Sequence, residues 1–284
     1  MRYSMWSSYL RGSSPEECVR VFSQKGWYFL ELSTEHGETL LTRGEPERVG
    51  RDFLKFAADY GVAFPQGHLL LSADIAAVKQ DETLDTLKRW LDLFNAVGVK
   101  NSVLHCGGLE MDSLGKPESE INEARIKALR ILCDHIKPAD MFICLENLAR
   151  FTTDAESLKS LITSVGSDKL AICLDTGHLN MRGLEQPEFI EKAGVLLKAL
   201  HIADNEGKAD QHLMPYGKGT IKWNDFIFAI AKSDYDGLLN FEIPGESANC
   251  PPEMLLYKLD YIREIALDML AKINSIRSQR IHYV

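Results

Sequence analysis

The sequence predicts an α/β chain folded as a single (β/α)8 barrel over residues 1–284, and three observations predict it. Eight short apolar runs alternate with longer segments of helical period. Nearly every residue of each run is apolar, the pattern of parallel strands covered on both faces. Nothing between them is low in complexity, and the turn after the first run, Ser7 to Gly12, lacks the glycine fingerprint of an open dinucleotide-binding sheet. A length of 284 residues suits one such barrel, which takes roughly 250.

The predicted strands are 2–5, 28–32, 68–71, 102–105, 142–146, 171–175, 199–202 and 238–243. Between them, Ser14-Pro15-Glu16-Glu17 is a capping box with proline at the first helical position, and Gly26 closes that helix. A second helix spans 46–60, ended by Gly61. Leu84, Leu87, Leu91, Phe94 and Val97 form an i, i+3/i+4 stripe that stops at Gly98. A long helix starts near 118 and ends before Pro138, and Thr153-x-x-Glu156 opens another that stops at Gly166. Further helices are predicted at 187–197, 223–232 and 251–275.

Composition limits the function. The chain carries 32 Lys+Arg against 41 Asp+Glu, a formal net charge of −9, which argues against a nucleic-acid partner. No apolar run reaches the ~18–20 residues of a membrane span, and the first residues lack a signal-peptide core, so the expected location is cytoplasmic. The six cysteines form no Cys-x-x-Cys pair, and Cys106, Cys144 and Cys173 lie inside apolar runs, so reduced buried thiols are expected.

In a barrel of this type chemistry sits at the C-terminal ends of the strands. Ionisable residues interrupt the apolar runs there: His68, His105, Glu146, Asp175 with His178 three residues on, His201, then Asp210 and His212, and Glu242. Any one of them has an ordinary structural explanation as a cap, turn or satisfied core residue. Their convergence does not, because buried carboxylates and imidazoles must pair or bind metal. Glu146, Asp175, His201 and Glu242 make a mostly oxygen set with one imidazole, suited to Mn²⁺, Mg²⁺, Co²⁺ or Zn²⁺. One ion is expected; the additional His and Asp residues leave room for up to three, or for contacts with sugar hydroxyls. Trp6, His36, Arg150 and Trp223 are weaker candidates for a substrate-binding rim, and Gly217-Lys218-Gly219 is a weak phosphate-turn signal.

Taken together, Leu-Glu-Asn at Glu146, Leu-Asp-Thr-Gly-His at Asp175–His178, His-Ile-Ala-Asp-Asn at His201 and the run from Gly217 to Trp223 resemble the xylose-isomerase-like barrel superfamily. That superfamily holds sugar isomerases, ketose 3-epimerases, inosose dehydratases and type-IV apurinic-site endonucleases. In its sugar-acting branch the resemblance implies one divalent ion on Glu146, Asp175, His201 and Glu242, with the two glutamates as acid–base pair. In its endonuclease branch it implies a trinuclear zinc site on His68, His105, Glu146, Asp175, His178, His201, Asp210, His212 and Glu242. Thr152 and Gly207 stand where ketose epimerases carry a second Glu and an Arg, and no glycine-rich turn follows Glu146 as in the endonucleases. The favoured expectation is a metal-dependent isomerase or epimerase of a sugar or sugar derivative, working through an enediolate. The alternatives are a keto-inositol-type dehydratase, an apurinic-endonuclease-like phosphodiesterase and, last, a non-catalytic sugar-binding barrel. The expected partner is a small carbohydrate, with no membrane, and a homo-oligomer is compatible with the resemblance.

Overall fold

In the computed structural model, which describes residues 1–148 and 152–281 (the last two by backbone alone), eight parallel strands form a nearly closed barrel. They are β1 (Arg2–Trp6), β2 (Phe29–Leu32), β3 (Ala63–His68), β4 (Asn101–Leu104), β5 (Phe142–Glu146), β6 (Leu170–Asp175), β7 (Leu197–His201) and β8 (Leu238–Phe241). Sequential neighbours pair from β1 to β7, and β1 pairs with β8 through Arg2↔Leu238 to Met5↔Phe241. Between β7 and β8 the joint is a single bridge, Ile202↔Phe241. It is held by Ile202 N–H to Asn240 O (2.7 Å) and Glu242 N–H to Ile202 O (3.2 Å).

The strands obey the two-residue side-chain period. One inward layer holds Ser4, Glu31, Gln66, Val103, Cys144, Cys173, Ala199 and Asn240, all fully buried. Two residues further along each strand comes the mouth of the barrel: Trp6, Ser33, His68, His105, Glu146, Asp175, His201 and Glu242. Register sets Asp175 opposite His201, while Glu146 pairs with Cys173, two residues before Asp175 on β6. The alternation that builds the fold therefore also gathers the polar side chains at one end. The small thiols and alanines below them, Cys144, Cys173, Ala171 and Ala199, pack with Val103 into the barrel interior.

Helices cover the outside as their punctuation requires. The capping box at Ser14 is complete: its hydroxyl accepts from Glu17 N–H while the Glu17 carboxylate accepts from Ser14 N–H. Gly98 ends the helix Gln80–Val97 at φ 93°, a conformation that favours glycine. Five described cysteines are buried and Cys250 is half-buried, all as free thiols. Among the described residues no helix is long and apolar enough to cross a membrane.

The third strand corrects the sequence reading. It runs Ala63–His68 and ends where 68–71 was expected to begin. Pro65 falls where β2 and β3 slip register between Phe29 and Glu31, so its missing N–H is tolerated inside the strand. The expected box at Thr153 is also displaced: Asp154 is the cap, accepting from Ser157 N–H at 2.8 Å. The segment 187–197 stops as an α-helix at Ala193, and β7 and β8 end at His201 and Phe241. The last helix, Pro252–Ile281, outruns its predicted end at 275. Four short helices, Thr34–Leu41, Leu109–Ser113, Thr176–Met181 and Pro244–Ser247, sit at the C-terminal ends of strands and were not anticipated.

Candidate metal centre at the barrel mouth

Glu146 is the hub. It ends β5, is 1% exposed, and four imidazoles reach its two carboxylate oxygens. His68 Nε2 and His105 Nε2 lie 3.3 and 3.1 Å from Oε2. His178 Nδ1 and His201 Nδ1 lie 3.3 and 3.2 Å from Oε1. His201 Nδ1 is also 3.2 Å from Glu242 Oε2, so one ring nitrogen faces two carboxylates. Asp210, in the loop after β7, sits between two further rings, 3.3 Å from His178 Nε2 and 3.1 Å from His212 Nε2.

Local structure aims each group. Asn147 ties β5 to β6: its amide donates to Asp175 O at 3.0 Å, and its carbonyl accepts from Asp175 N–H at 2.7 Å. Asp175 caps Thr176–Met181, and Oδ1 accepts from His178 N–H at 2.6 Å, which turns the His178 ring toward Glu146. The His68 Nδ1 edge faces Leu69 O at 2.8 Å, leaving Nε2 for Glu146. His212 takes a left-handed φ of 47°, uncommon for a residue with a Cβ, and its Nδ1 lies 2.9 Å from Glu242 O.

The donor chemistry fits divalent metal. Among the described residues, three sets of ligand atoms lie within 4.8 Å of one another: His68/Glu146/His201, His178/Asp210/His212 and Glu146/Asp175/His201/Glu242. Asp175 Oδ2 is buried with no hydrogen-bond partner among the described residues, an orphan that burial makes expensive unless a cation meets it. The site's electrostatics agree. Burial pushes the Asp175 carboxyl up, whereas Glu146, also penalised by burial, is held well below the usual carboxylate range by His201, His105 and His178. Burial alone would lower His178 and His212, but the surrounding acids win. Asp175, Asp210 and Glu146 hold His178 well above its ordinary value, and Asp210, Glu242 and Asp175 raise His212 to about 10.

All nine mouth residues singled out in the sequence, His68 to Glu242, thus come together in one cluster. The weaker rim candidates fare differently. Trp6 is buried at the end of β1 and lines a groove of about 540 Å³ with Arg11, Glu35 and Thr39. His36 is also buried and lines the same groove, its Nδ1 2.9 Å from Ser7 Oγ and its Nε2 3.1 Å from Ser13 O. Trp223 is buried too and donates Nε1–H to Asp204 at 2.7 Å; it anchors the loop that carries Asp210 and His212. Arg150 lies outside the described residues. The Gly217–Gly219 turn packs on Asp204, since a Cβ on Gly219 would fall 1.9 Å from Asp204 Cγ, which explains the glycine without a phosphate.

One polar residue beneath the cluster was missed. Glu31, inward on β2 and fully buried, places Oε1 2.9 Å from His201 Nε2. The only signal was a lone acid inside the apolar run 28–32.

An eight-stranded barrel with carboxylates and imidazoles gathered at its C-terminal mouth defines a class of TIM barrels that carry their polar centre on the strand ends. Within that class a profile described as "Xylose isomerase-like TIM barrel" matches residues 19–265, and the chain belongs to this family. Its relatives include proteins named as endonucleases and as sugar epimerases. It is 27% identical over 209 residues to "Probable endonuclease 4" of Mycoplasma pneumoniae, covering 67% of this chain and 71% of that protein. It is 28% identical over 116 residues to "D-psicose 3-epimerase" of Enterocloster bolteae, covering 39% and 36%. With "Uncharacterized protein y4fM" of Sinorhizobium fredii it shares 30% over 165 residues, 57% of this chain, and spans about half of that protein (52%). Among solved structures, a D-psicose 3-epimerase from Clostridium cellulolyticum H10 superposes with a TM-score of 0.78 at 16% identity, covering 95% and 99% of the chains. The 3-keto-D-glucoside 4-epimerase of E. coli superposes at 0.73 with 16% identity, covering 92% and 98%.

Proposed function

We propose that the chain is a multinuclear-metal hydrolase of phosphate esters. One observation carries this reading: Glu146 is met by four imidazoles, and Asp210 by two, so that nine donor residues form one continuous cluster. A single-ion sugar site needs only Glu146, Asp175, His201 and Glu242, and leaves His68, His105, Asp210 and His212 outside its ligand set. The relatives named endonuclease 4 support the same chemistry.

Divalent ions, once bound, supply Lewis-acid charge to a phosphoryl oxygen. The chain's own residues do the rest. Glu146 and Glu242 approach one His201 nitrogen and hold adjoining sides of the centre. Asp210 orients His178 and His212 at its outer edge, where the exposed side of the carboxylate meets solvent and an incoming ester. The net charge of −9 and the apolar Leu69-Leu70-Leu71 after β3 favour a small phosphoester over a DNA duplex.

The second reading, a sugar isomerase or epimerase with Glu146 and Glu242 as proton carriers, is favoured by the superposition on epimerases along 95% of the chain. Plasma mass spectrometry of gently purified protein, followed by assays with bis(4-nitrophenyl) phosphate and an abasic oligonucleotide, separates the two. About three ions per chain and phosphoester cleavage, lost by roughly 10²–10³-fold in Glu146→Gln, are expected. One ion, no cleavage, and solvent deuterium entering a ketose in D₂O would overturn the hydrolase in favour of the sugar enzyme.

A further inference from the structure

Below the mouth, in the layer that no ligand set includes, lies a buried polar chain. Gln66 Nε2–H donates to Glu31 Oε1 at 3.3 Å and to Leu200 O at 3.2 Å. Asn240 Nδ2–H donates to Glu31 Oε2, and Ser4 Oγ–H donates to Asn240 Oδ1 at 2.8 Å. These four residues come from β3, β2, β8 and β1, and all are 0% exposed. The chain ends upward at His201, whose Nε2 is 2.9 Å from Glu31 Oε1.

We propose that Glu31 is a positioning residue for His201, an assignment that rests on the reading of the mouth as a metal centre. With Nε2–H donated to Glu31, the tautomer is fixed and the Nδ1 lone pair faces Glu146 and Glu242. A carboxylate that accepts from the far edge of the ring also holds its plane, so Nδ1 stays aimed at the centre. The fixed amide and hydroxyl donors keep Glu31 from turning away, because each of its oxygens already has a partner that cannot move without breaking a strand-to-strand bond. A purely structural polar layer does not need this arrangement. The neighbouring inward positions are filled by Val103, Cys144, Cys173 and Ala199, which satisfy the interior without charge.

Two measurements on the full chain test it. Cobalt binding, followed by absorption and chelator competition, compares wild type with Glu31→Gln, which keeps the shape and removes the charge. The expected result is a roughly 10–100-fold weaker affinity for one class of ion, with an altered cobalt band, while the other ions are unaffected. Long-range ¹H–¹⁵N spectra of the zinc-loaded wild type need no variant, and are expected to show His201 protonated at Nε2. Equal cobalt affinity in both proteins, or a His201 proton on Nδ1, overturns the assignment of Glu31 alone. A wild type that binds no cobalt overturns the metal centre itself and the role of Glu31 with it.

Discussion

His36 shows how burial sets a pH response one residue at a time. Removal from water disfavours its charged form and outweighs the Ser13 carbonyl and the Glu35 charge, so its pKa is lowered. In the unfolded chain it titrates near ~6.5, so below that pH the unfolded state takes up a proton that the folded state refuses. Stability from His36 is therefore complete above about pH 6.5 and is lost as pH falls toward its depressed folded value, at up to ~1.4 kcal/mol per pH unit. Melting temperatures of metal-free wild type and His36→Gln, measured from pH 7.5 to 5.5, should converge on acidification; parallel curves would refute this. Glu31 is the complementary case, since it was illegible for a physical reason. A single glutamate in a four-residue strand does not disturb an apolar average, and only the inward phase of β2 shows that it points at His201.

At the scale of elements, the loop between β7 and Trp223 carries two of the predicted ligands and hangs on one side chain. Asp204 accepts from Trp223 Nε1–H (2.7 Å), Asn205 N–H (2.8 Å) and Ile221 N–H (3.2 Å). Asp204→Ala orphans these donors and is expected to cost about 1–3 kcal/mol in chemical denaturation. It should also lower the ion count per chain, because Asp210 and His212 lose their frame; an unchanged count would show that the loop holds itself. Elements were legible wherever period and caps agreed, as for 142–146 and 223–232, whose bounds the structure reproduces. They were misread where a turn-forming residue sits inside a strand. Pro65 and Gly67 belong to β3, and the glycine is there because a Cβ would lie 2.6 Å from the Phe94 ring. The short helices after the strands stayed hidden because they hold too few residues to show a helical period. Thr176–Met181, for example, is only six residues long.

For the whole molecule, a cluster contributed by strands from β3 to β8 makes stability depend on what it binds. Ions that bind only the folded chain add RT ln(1 + [L]/Kd), about 2.7 kcal/mol at a hundredfold excess over Kd. Chelation should therefore lower the melting temperature, and re-addition of zinc should restore it; indifference to both would count against a metal centre. The nine-residue cluster was legible because a parallel barrel must deliver strand ends to one mouth, and its polar residues announce themselves against apolar runs. The choice between a phosphoester and a sugar was not, since both chemistries draw on Glu146, Asp175, His201 and Glu242.

The single bridge between β7 and β8 gives the centre a second duty. His201 stands on one side of that seam and Glu242 on the other, 3.2 Å apart at their nearest atoms. A cation held by both side chains would act as a clasp on the most thinly stitched joint of the barrel, so loading the site would also shut the cylinder. Amide hydrogens of Ile202 and Glu242, which form the stitches, should then exchange more slowly in the loaded protein than in the stripped one, by a larger factor than amides in β4 and β5.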